Sequence, residues 1–169
     1  CGPHYDELAS RGETVAPNGS KSRLAWYPVS SMARTWVAPK IKQRRSKLHG
    51  WGVFALEPIT KNTRIIQYEG ELIDHKESFK RESKYLKKGE IWCFTVNRRW
   101  VKDGNVGGNV ARFINHACKP NCYSQIIGRE IWIRAVRNIE PGEELTYDYS
   151  IIGERTIPCR CRPGCPNKI

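Results

Sequence analysis

The stretch Arg112-Phe113-Ile114-Asn115-His116-Ala117-Cys118-Lys119-Pro120-Asn121-Cys122 constrains this chain more than any other. It sets apolar anchors, an amide, an imidazole, two thiols and a proline side by side. Pro120 prevents a helix from running on and biases Lys119 toward an extended backbone. Asn115 and His116 are neighbours and offer donors and acceptors in a fixed cluster. Such a segment turns the chain, and its polar groups either bond to nearby backbone or hold a ligand. The stretch alone leaves both open.

The 169 residues suffice for one domain with a real core. A hydrophobic content of 39% with 10% aromatics suits a globular chain and excludes a disordered one. No apolar run is long enough to cross a bilayer, and no signal peptide opens the sequence, so a soluble, intracellular protein without membrane partners is expected. A net charge of +12 points to acidic partners: nucleic acid, a nucleoprotein or an anionic cofactor. Lys40, Lys42, Arg44, Arg45 and Lys47 cluster with no acid among them, as either a phosphate-binding arm or a solvated one.

An odd count of seven cysteines argues against a disulfide scaffold. Cys159, Cys161 and Cys165 form C-x-C-x3-C in a loop with Pro and Gly, which suits zinc. Zinc wants four ligands, and Cys118 and Cys122 are the candidates for the fourth.

Residues 1–38 read as an irregular extension, with Met32 a candidate natural start. His49-Gly50-Trp51-Gly52 either lets a backbone approach something closely or turns into a strand. Thr63 to Ile73 reads as one strand. Asp74 is expected to cap a surface helix from about His75 to Lys88, ending at Gly89 and anchored by Phe79, Tyr85 and Leu86. Ile91–Val96 reads as a strand, Tyr123–Ile127 and Ile131–Ala135 as a hairpin across Gly128-Arg129, and Glu144–Tyr149 as a last strand after a Pro141-Gly142 turn. No internal repeat is visible. Many short strands and one short helix predict a mostly-β fold. Tyr147 and Tyr149 share a strand face by period two; they either line a channel for an alkylammonium group or pack in a core.

His49-Gly50-Trp51-Gly52, Tyr68-Glu69-Gly70, Arg112-Phe113-Ile114-Asn115-His116, Glu143-Glu144-Leu145-Thr146-Tyr147-Asp148-Tyr149 and the terminal cysteines stand in an order that resembles SET-domain protein-lysine methyltransferases. The look is most like the trithorax/MLL-type histone H3 branch with a post-SET zinc motif. The resemblance runs from about Lys40 onward and implies residues 39–150 as a SET domain and 151–169 as a post-SET zinc-binding segment. It implies a β-clip-like fold of several small β-sheets with a pseudoknot, one short inserted helix and a C-terminal zinc loop.

It further implies S-adenosylmethionine and Zn2+ as cofactors. By motif, Tyr149 is the catalytic tyrosine, and Tyr147 sits where the family sets how many methyls are added, favouring mono- or dimethylation. His49, Gly50, Trp51, Gly52, Trp92, Asn115, His116 and Arg160 are the implied cofactor contacts, with His116 and Arg160 near the adenine. Cys118, Cys159, Cys161 and Cys165 are the implied zinc ligands, and Cys122 is structural. The implied partner is a protein lysine, on a histone tail or nucleosome, with non-specific nucleic-acid contact through residues 40–47. The setting is the nucleus and chromatin in a eukaryote, the cytoplasm in a bacterium. Two departures stand out: Trp92-Cys93-Phe94 replaces a Tyr-x-Phe whose tyrosine lines the lysine channel, and the last cysteine spacing is x3 where x4 is common. An inactive SET-fold binding module and a basic nucleic-acid-binding zinc protein are the competing readings.

Overall fold

The computed structural model describes residues 36–149 and 157–169. The readings of residues 1–35, Met32 among them, and of residues 150–156 lie outside the described residues. The strands are β1 (Ile41–Arg45), β2 (Trp51–Ala55), β3 (Arg64–Gln67), β4 (Glu71–Asp74), β5 (Cys93–Thr95), β6 (Trp100–Asp103), β7 (Asn115–His116), β8 (Cys122–Ile127), β9 (Glu130–Ala135) and β10 (Glu144–Tyr147). One helix, α1 (His75–Leu86), and a 3₁₀ turn at Val110–Phe113 complete the set among the described residues. The strands form three small sheets, in the orders β1-β2-β10-β7, β3-β9-β8 and β4-β6-β5. No helix among the described residues is long and apolar enough to cross a membrane.

Local chemistry accounts for the boundaries. Asp74 caps α1 by accepting from the Glu77 amide at 2.8 Å, and Gly89, at φ +72, turns the chain away from its C-terminal end. Gly128, at φ +61, opens the two-residue turn between β8 and β9, the glycine-first pattern of a type II′ hairpin. Pro141 and Gly142 make the turn into β10, closed by the Glu143 amide on the Glu140 carbonyl at 3.1 Å.

Four expectations change. The single strand from Thr63 to Ile73 is two, β3 and β4, in different sheets. The break falls at Gly70, where a Cβ would collide with the Asp103 backbone, so the chain crosses there at a distance only glycine allows. The strand from Ile91 to Val96 shrinks to Cys93–Thr95, because Trp92 turns its carbonyl to the Tyr68 hydroxyl and the Gly104 amide. Phe79 does not anchor α1; it is 60% exposed, and the helix is held by the expected Tyr85 and by Arg81, which donate to the buried Asp103 carboxylate at 3.0 and 2.9 Å. The basic arm is an ordered edge strand, β1, with Lys42, Arg44 and Arg45 exposed and the Arg45 guanidinium 4.3 Å from the Trp51 ring.

A repeat that is not visible as sequence appears as shape. Ala55, Ile59, Asn62 and Thr63 answer at constant spacing to Ala135, Ile139, Gly142 and Glu143. Ile59 and Ile139 exchange both backbone bonds at 2.9 Å. The Asn62 amide donates to the Ala135 carbonyl and the Gly142 amide to the Ala55 carbonyl, both at 2.8 Å. The Ala55 amide reaches the Glu143 carbonyl and the Ala135 amide the Thr63 carbonyl, at 3.0 and 3.1 Å. Val53, Ile65, Ile133 and Leu145, all at most 1% exposed, fill the space between the halves. Each such side chain contributes about 1.5–3 kcal/mol by burial. Two strand–turn–strand units therefore clasp about one core, and each gives one strand to each of the first two sheets.

Candidate active site

The site grows from the two ends of the first sheet. Between β1 and β2 the chain makes a loop at Ser46–Gly50, closed by the Ser46 amide on the Gly50 carbonyl at 3.1 Å, with Gly50 at φ +47. The Ser46 hydroxyl accepts from the Leu48 amide at 2.9 Å and donates to both oxygens of Glu144, at 2.8 and 2.9 Å. At the other edge, β7 lies parallel to β10, with Asn115 opposite Thr146 and His116 opposite Tyr147. Asn121 fastens the crossing: its amide nitrogen donates to the Glu144 carbonyl and its oxygen accepts from the Thr146 amide, both at 2.8 Å. Asn121 is 4% exposed, so it acts as a buried rung between two chain segments that have no strand between them.

Asn115 Nδ2 faces three acceptors: Glu144 Oε1 at 2.8 Å, the Trp51 carbonyl at 2.9 Å and the His49 carbonyl at 3.3 Å. His116 Nδ1 accepts from the Tyr149 amide at 3.2 Å, so the neutral ring carries its proton on Nε2, which points at the Cys118 sulfur 3.5 Å away. Burial pushes the His116 pKa down, against a weaker upward pull from Asp148. The Tyr149 ring stands edge-on to His116, and its hydroxyl donates to the Ile114 carbonyl at 2.8 Å.

An aromatic cluster continues inward. Tyr149 and Tyr147 have ring centroids 4.8 Å apart, Tyr147 stacks on Phe94 at 5.8 Å, and Phe94 meets Tyr68 at 5.4 Å. Burial raises the Tyr147 and Tyr149 phenols well above their ordinary range, so both are neutral hydroxyls near neutral pH.

Beside this cluster lies a cavity of about 360 Å³, the size of a small-molecule pocket. Its walls include His49 and Gly50 from the loop, Trp51 from the start of β2, Trp92 and Phe113 packed edge to face, Asn115 and His116 from β7, Tyr149, and Ile157, Pro158, Arg160 and Ile169 from the last segment. An apolar wall with a few amides and carbonyls and the guanidiniums of Arg112 and Arg160 fits a ligand that joins an aromatic base to a zwitterionic tail.

The last segment folds back through paired backbone bonds between Ile157 and Ile169. The sulfurs of Cys118, Cys159, Cys161 and Cys165 all lie within 4.8 Å of one another. Cys118 is 3.7 Å from Cys159 and 3.8 Å from Cys165, and Cys161 is 3.7 Å from Cys165. Four thiolates on a tetrahedral ion at about 2.3 Å stand about 3.8 Å apart, so this donor set fits zinc. Cys122 is elsewhere: fully buried at the start of β8, its thiol pushed up to about 12 by desolvation.

Residues 50–150 match the SET domain family. A histone-lysine N-methyltransferase of Yarrowia lipolytica, described as H3 lysine-4 specific, is 44% identical over 74% of this chain and 12% of its own length. The chain belongs to the SET-domain family. The histone-lysine N-methyltransferase set1 of Dictyostelium discoideum is 42% identical over 75% of this SET chain and 9% of its own. This SET chain thus spans roughly a tenth of the length of these relatives. A solved Chaetomium thermophilum Polycomb Repressive Complex 2, in an autoinhibited conformation bound to S-adenosylmethionine, superposes with a TM-score of 0.63 at 31% identity, over 68% of this chain and 15% of that one.

Of the residues singled out from sequence in this SET domain, His49, Gly50, Trp51, Trp92, Asn115, His116, Arg160 and Tyr149 line the cavity together. Gly52 and Tyr147 do not. Gly52 is buried under Glu144, whose carboxylate fills the place of a Cβ, and Tyr147 stands behind Tyr149. Trp92 takes the edge of Phe113 and donates its indole N–H to Glu90 at 3.2 Å. Ser46, Asn121 and Glu144 were given no part by the sequence. Asn121 stood in plain view beside Pro120, but Ser46 and Glu144 are far apart in the chain and only the fold joins them.

Proposed function

We propose that this SET domain methylates a lysine side chain of a protein, with a histone H3 tail on a nucleosome as substrate and S-adenosylmethionine as methyl donor. One observation carries the reading: a single cavity brings Asn115, His116 and the His49–Trp51 backbone beside Tyr149, which opens onto the aromatic cluster of Tyr147, Phe94 and Tyr68. The Yarrowia lipolytica relative, described as H3 lysine-4 specific, supports the substrate, and the solved neighbour bound to S-adenosylmethionine supports the cofactor.

When bound, S-adenosylmethionine would supply a methyl group on a positively charged sulfur. Asn115 and the carbonyls of the loop would hold its polar tail, with His116, Trp92 and Arg160 closing the walls around the base. A free lysine titrates near 10.4, and the amine must lose its proton before it attacks. An amine brought against the largely buried aromatic cluster of Tyr68, Phe94, Tyr147 and Tyr149 would be disfavoured as an ammonium. Tyr147 and Tyr149 stay protonated, so they position rather than deprotonate, and the proton leaves through water. The Tyr149 hydroxyl donates its hydrogen bond to the Ile114 carbonyl, which would leave its lone pairs to orient the lysine amine. Zinc would be held by Cys118, Cys159, Cys161 and Cys165 and would fix the last segment as a cavity wall. The exposed bases of β1 would add sequence-independent phosphate contacts on chromatin, with steep salt dependence.

Radiolabelled methyl transfer onto histones, whole nucleosomes and a non-histone lysate tests this. Label on H3 is expected, and Tyr149→Phe is expected to slow transfer roughly a hundredfold or more. No label on any substrate, from protein that binds S-adenosylmethionine in calorimetry, would instead favour an inactive binding module. Tyr147→Phe is expected to shift the product toward higher methylation in mass spectrometry; an unchanged distribution would remove Tyr147 from product control.

A further inference from the structure

Glu144 does not line the cavity, yet it holds the two elements that do. Both of its oxygens take the Ser46 hydroxyl, at 2.8 and 2.9 Å, and through Ser46 the turn that carries His49 and Gly50. Its Oε1 takes Asn115 Nδ2 at 2.8 Å. The Trp51 and His49 carbonyls press on the same nitrogen, at 2.9 and 3.3 Å. A carboxylate and two carbonyls only accept, so the amide has one orientation here; turning it over would set Oδ1 against all three. Room for the carboxylate exists only because residue 52 is glycine.

From this geometry we propose that Glu144 is a positioning residue that fixes the Asn115 amide so that Oδ1, an acceptor, is what the cavity offers to the ammonium of the cofactor's amino-acid tail. The inference rests on the S-adenosylmethionine reading above. Nδ2 in that place would oppose an ammonium with a donor. Glutamine at 144 keeps the shape but can donate as well as accept, so it withdraws the charged one of the three acceptors that select the orientation of Asn115 and leaves only the His49 and Trp51 carbonyls to hold it. Glu144 then acts on the tail of the ligand and not on its adenosine.

The test compares two ligands on the folded protein by calorimetry: S-adenosylhomocysteine, which has the ammonium, and 5′-methylthioadenosine, which lacks the amino-acid tail. Glu144→Gln is expected to weaken S-adenosylhomocysteine about tenfold and to leave 5′-methylthioadenosine within about twofold, as for the loss of one charge-assisted hydrogen bond. Ser46→Ala, which removes a donor from the same carboxylate but leaves Asn115 oriented, is expected to keep the ratio of the two affinities within about twofold of wild type. Equal losses for both ligands in Glu144→Gln would overturn the proposal and make Glu144 a brace for the loop. Equal affinities with no loss would overturn it as well. If Glu144→Gln does not fold, Glu144→Asp, with the charge kept and the reach to Asn115 shortened, is read on the same ratio. Wild-type protein that binds neither ligand refutes the cofactor reading instead, so the two failures are distinguishable.

Discussion

The first sheet, β1-β2-β10-β7, and the second, β8-β9-β3, are built on the same plan. In each, a hairpin lends its second strand to a partner from the other half of the chain: β2 to β10, and β9 to β3. Two differences separate them. The first hairpin turns through a loop at Ser46–Gly50, whereas the second turns on Gly128 and Arg129 alone. The first also gains β7, a strand of two residues, beyond β10. The loop and β7 supply His49, Gly50, Asn115 and His116, and the second sheet supplies no wall of the cavity. The second sheet therefore serves the frame alone, and two small additions to the first supply part of the cavity's wall.

The sharpest way to break that contrast is at the two thiols that close the same stretch. Cys118 follows β7 and belongs to the four-sulfur cluster, while Cys122 begins β8. Cys118→Ser is expected to lose zinc and several kcal/mol, which is a fall in Tm on the order of 10 °C. Cys122→Ser is expected to keep zinc and to cost about 1 kcal/mol, since the new hydroxyl is buried. Metal content by atomic spectroscopy with thermal melts reads both. A zinc loss in Cys122→Ser would merge what the structure keeps apart.

A smaller effect tests whether the frame is symmetric in energy as well as shape. Asn62 and Gly142 occupy equivalent turns at φ +68 and +89. Asn62→Ala and Gly142→Ala are each expected to cost about 1 kcal/mol by chemical denaturation, because alanine is strained at positive φ. Costs that differ severalfold would mean the halves do not share the load. The smallest effect is electrostatic and lies in one half only. Arg137 pairs with Glu143 at 2.6 Å and holds that carboxyl down at about 2, from an ordinary 4.5. The stabilisation is therefore fully present above pH 4.5 and is lost as pH falls through about 2. Both side chains are partly solvated, so it amounts to less than about 1 kcal/mol. Stability against pH for Glu143→Gln should lack that acid limb, and a limb that persists would assign it to another carboxyl.

Much of the frame was legible because its signals are local. The Asp74 cap, the glycine-first hairpin turn and the Pro141-Gly142 turn are set by neighbours in sequence, and they formed where expected. The split of Thr63–Ile73 was not legible, because Gly70 is required by the distant Asp103 backbone and not by its own neighbours. The two-fold repeat was hidden for a related reason. Burial asks only for an apolar side chain of about the right size, so Val53 and Ile133 serve equivalent places without identity. At the site, residue types that advertise chemistry were visible: thiols, imidazole, paired tyrosines. Ser46 and Glu144 were not, since a serine and a glutamate carry meaning only when folding sets them 2.8 Å apart.

The parallel pairing of β7 with β10 has a consequence in time. The β8–β9 hairpin closes a two-residue turn and can form as soon as it leaves the ribosome. β7 is synthesised earlier than that hairpin but has no strand to pair with until β10 has followed. Asn115 and His116 therefore have no strand partner when the β8–β9 hairpin can already close, and Cys118 can meet Cys159, Cys161 and Cys165 only after those have followed. Asn115 and His116 are made before the β8–β9 hairpin and paired after it, so the capacity to hold a ligand arrives only once β10 has been laid beside β7.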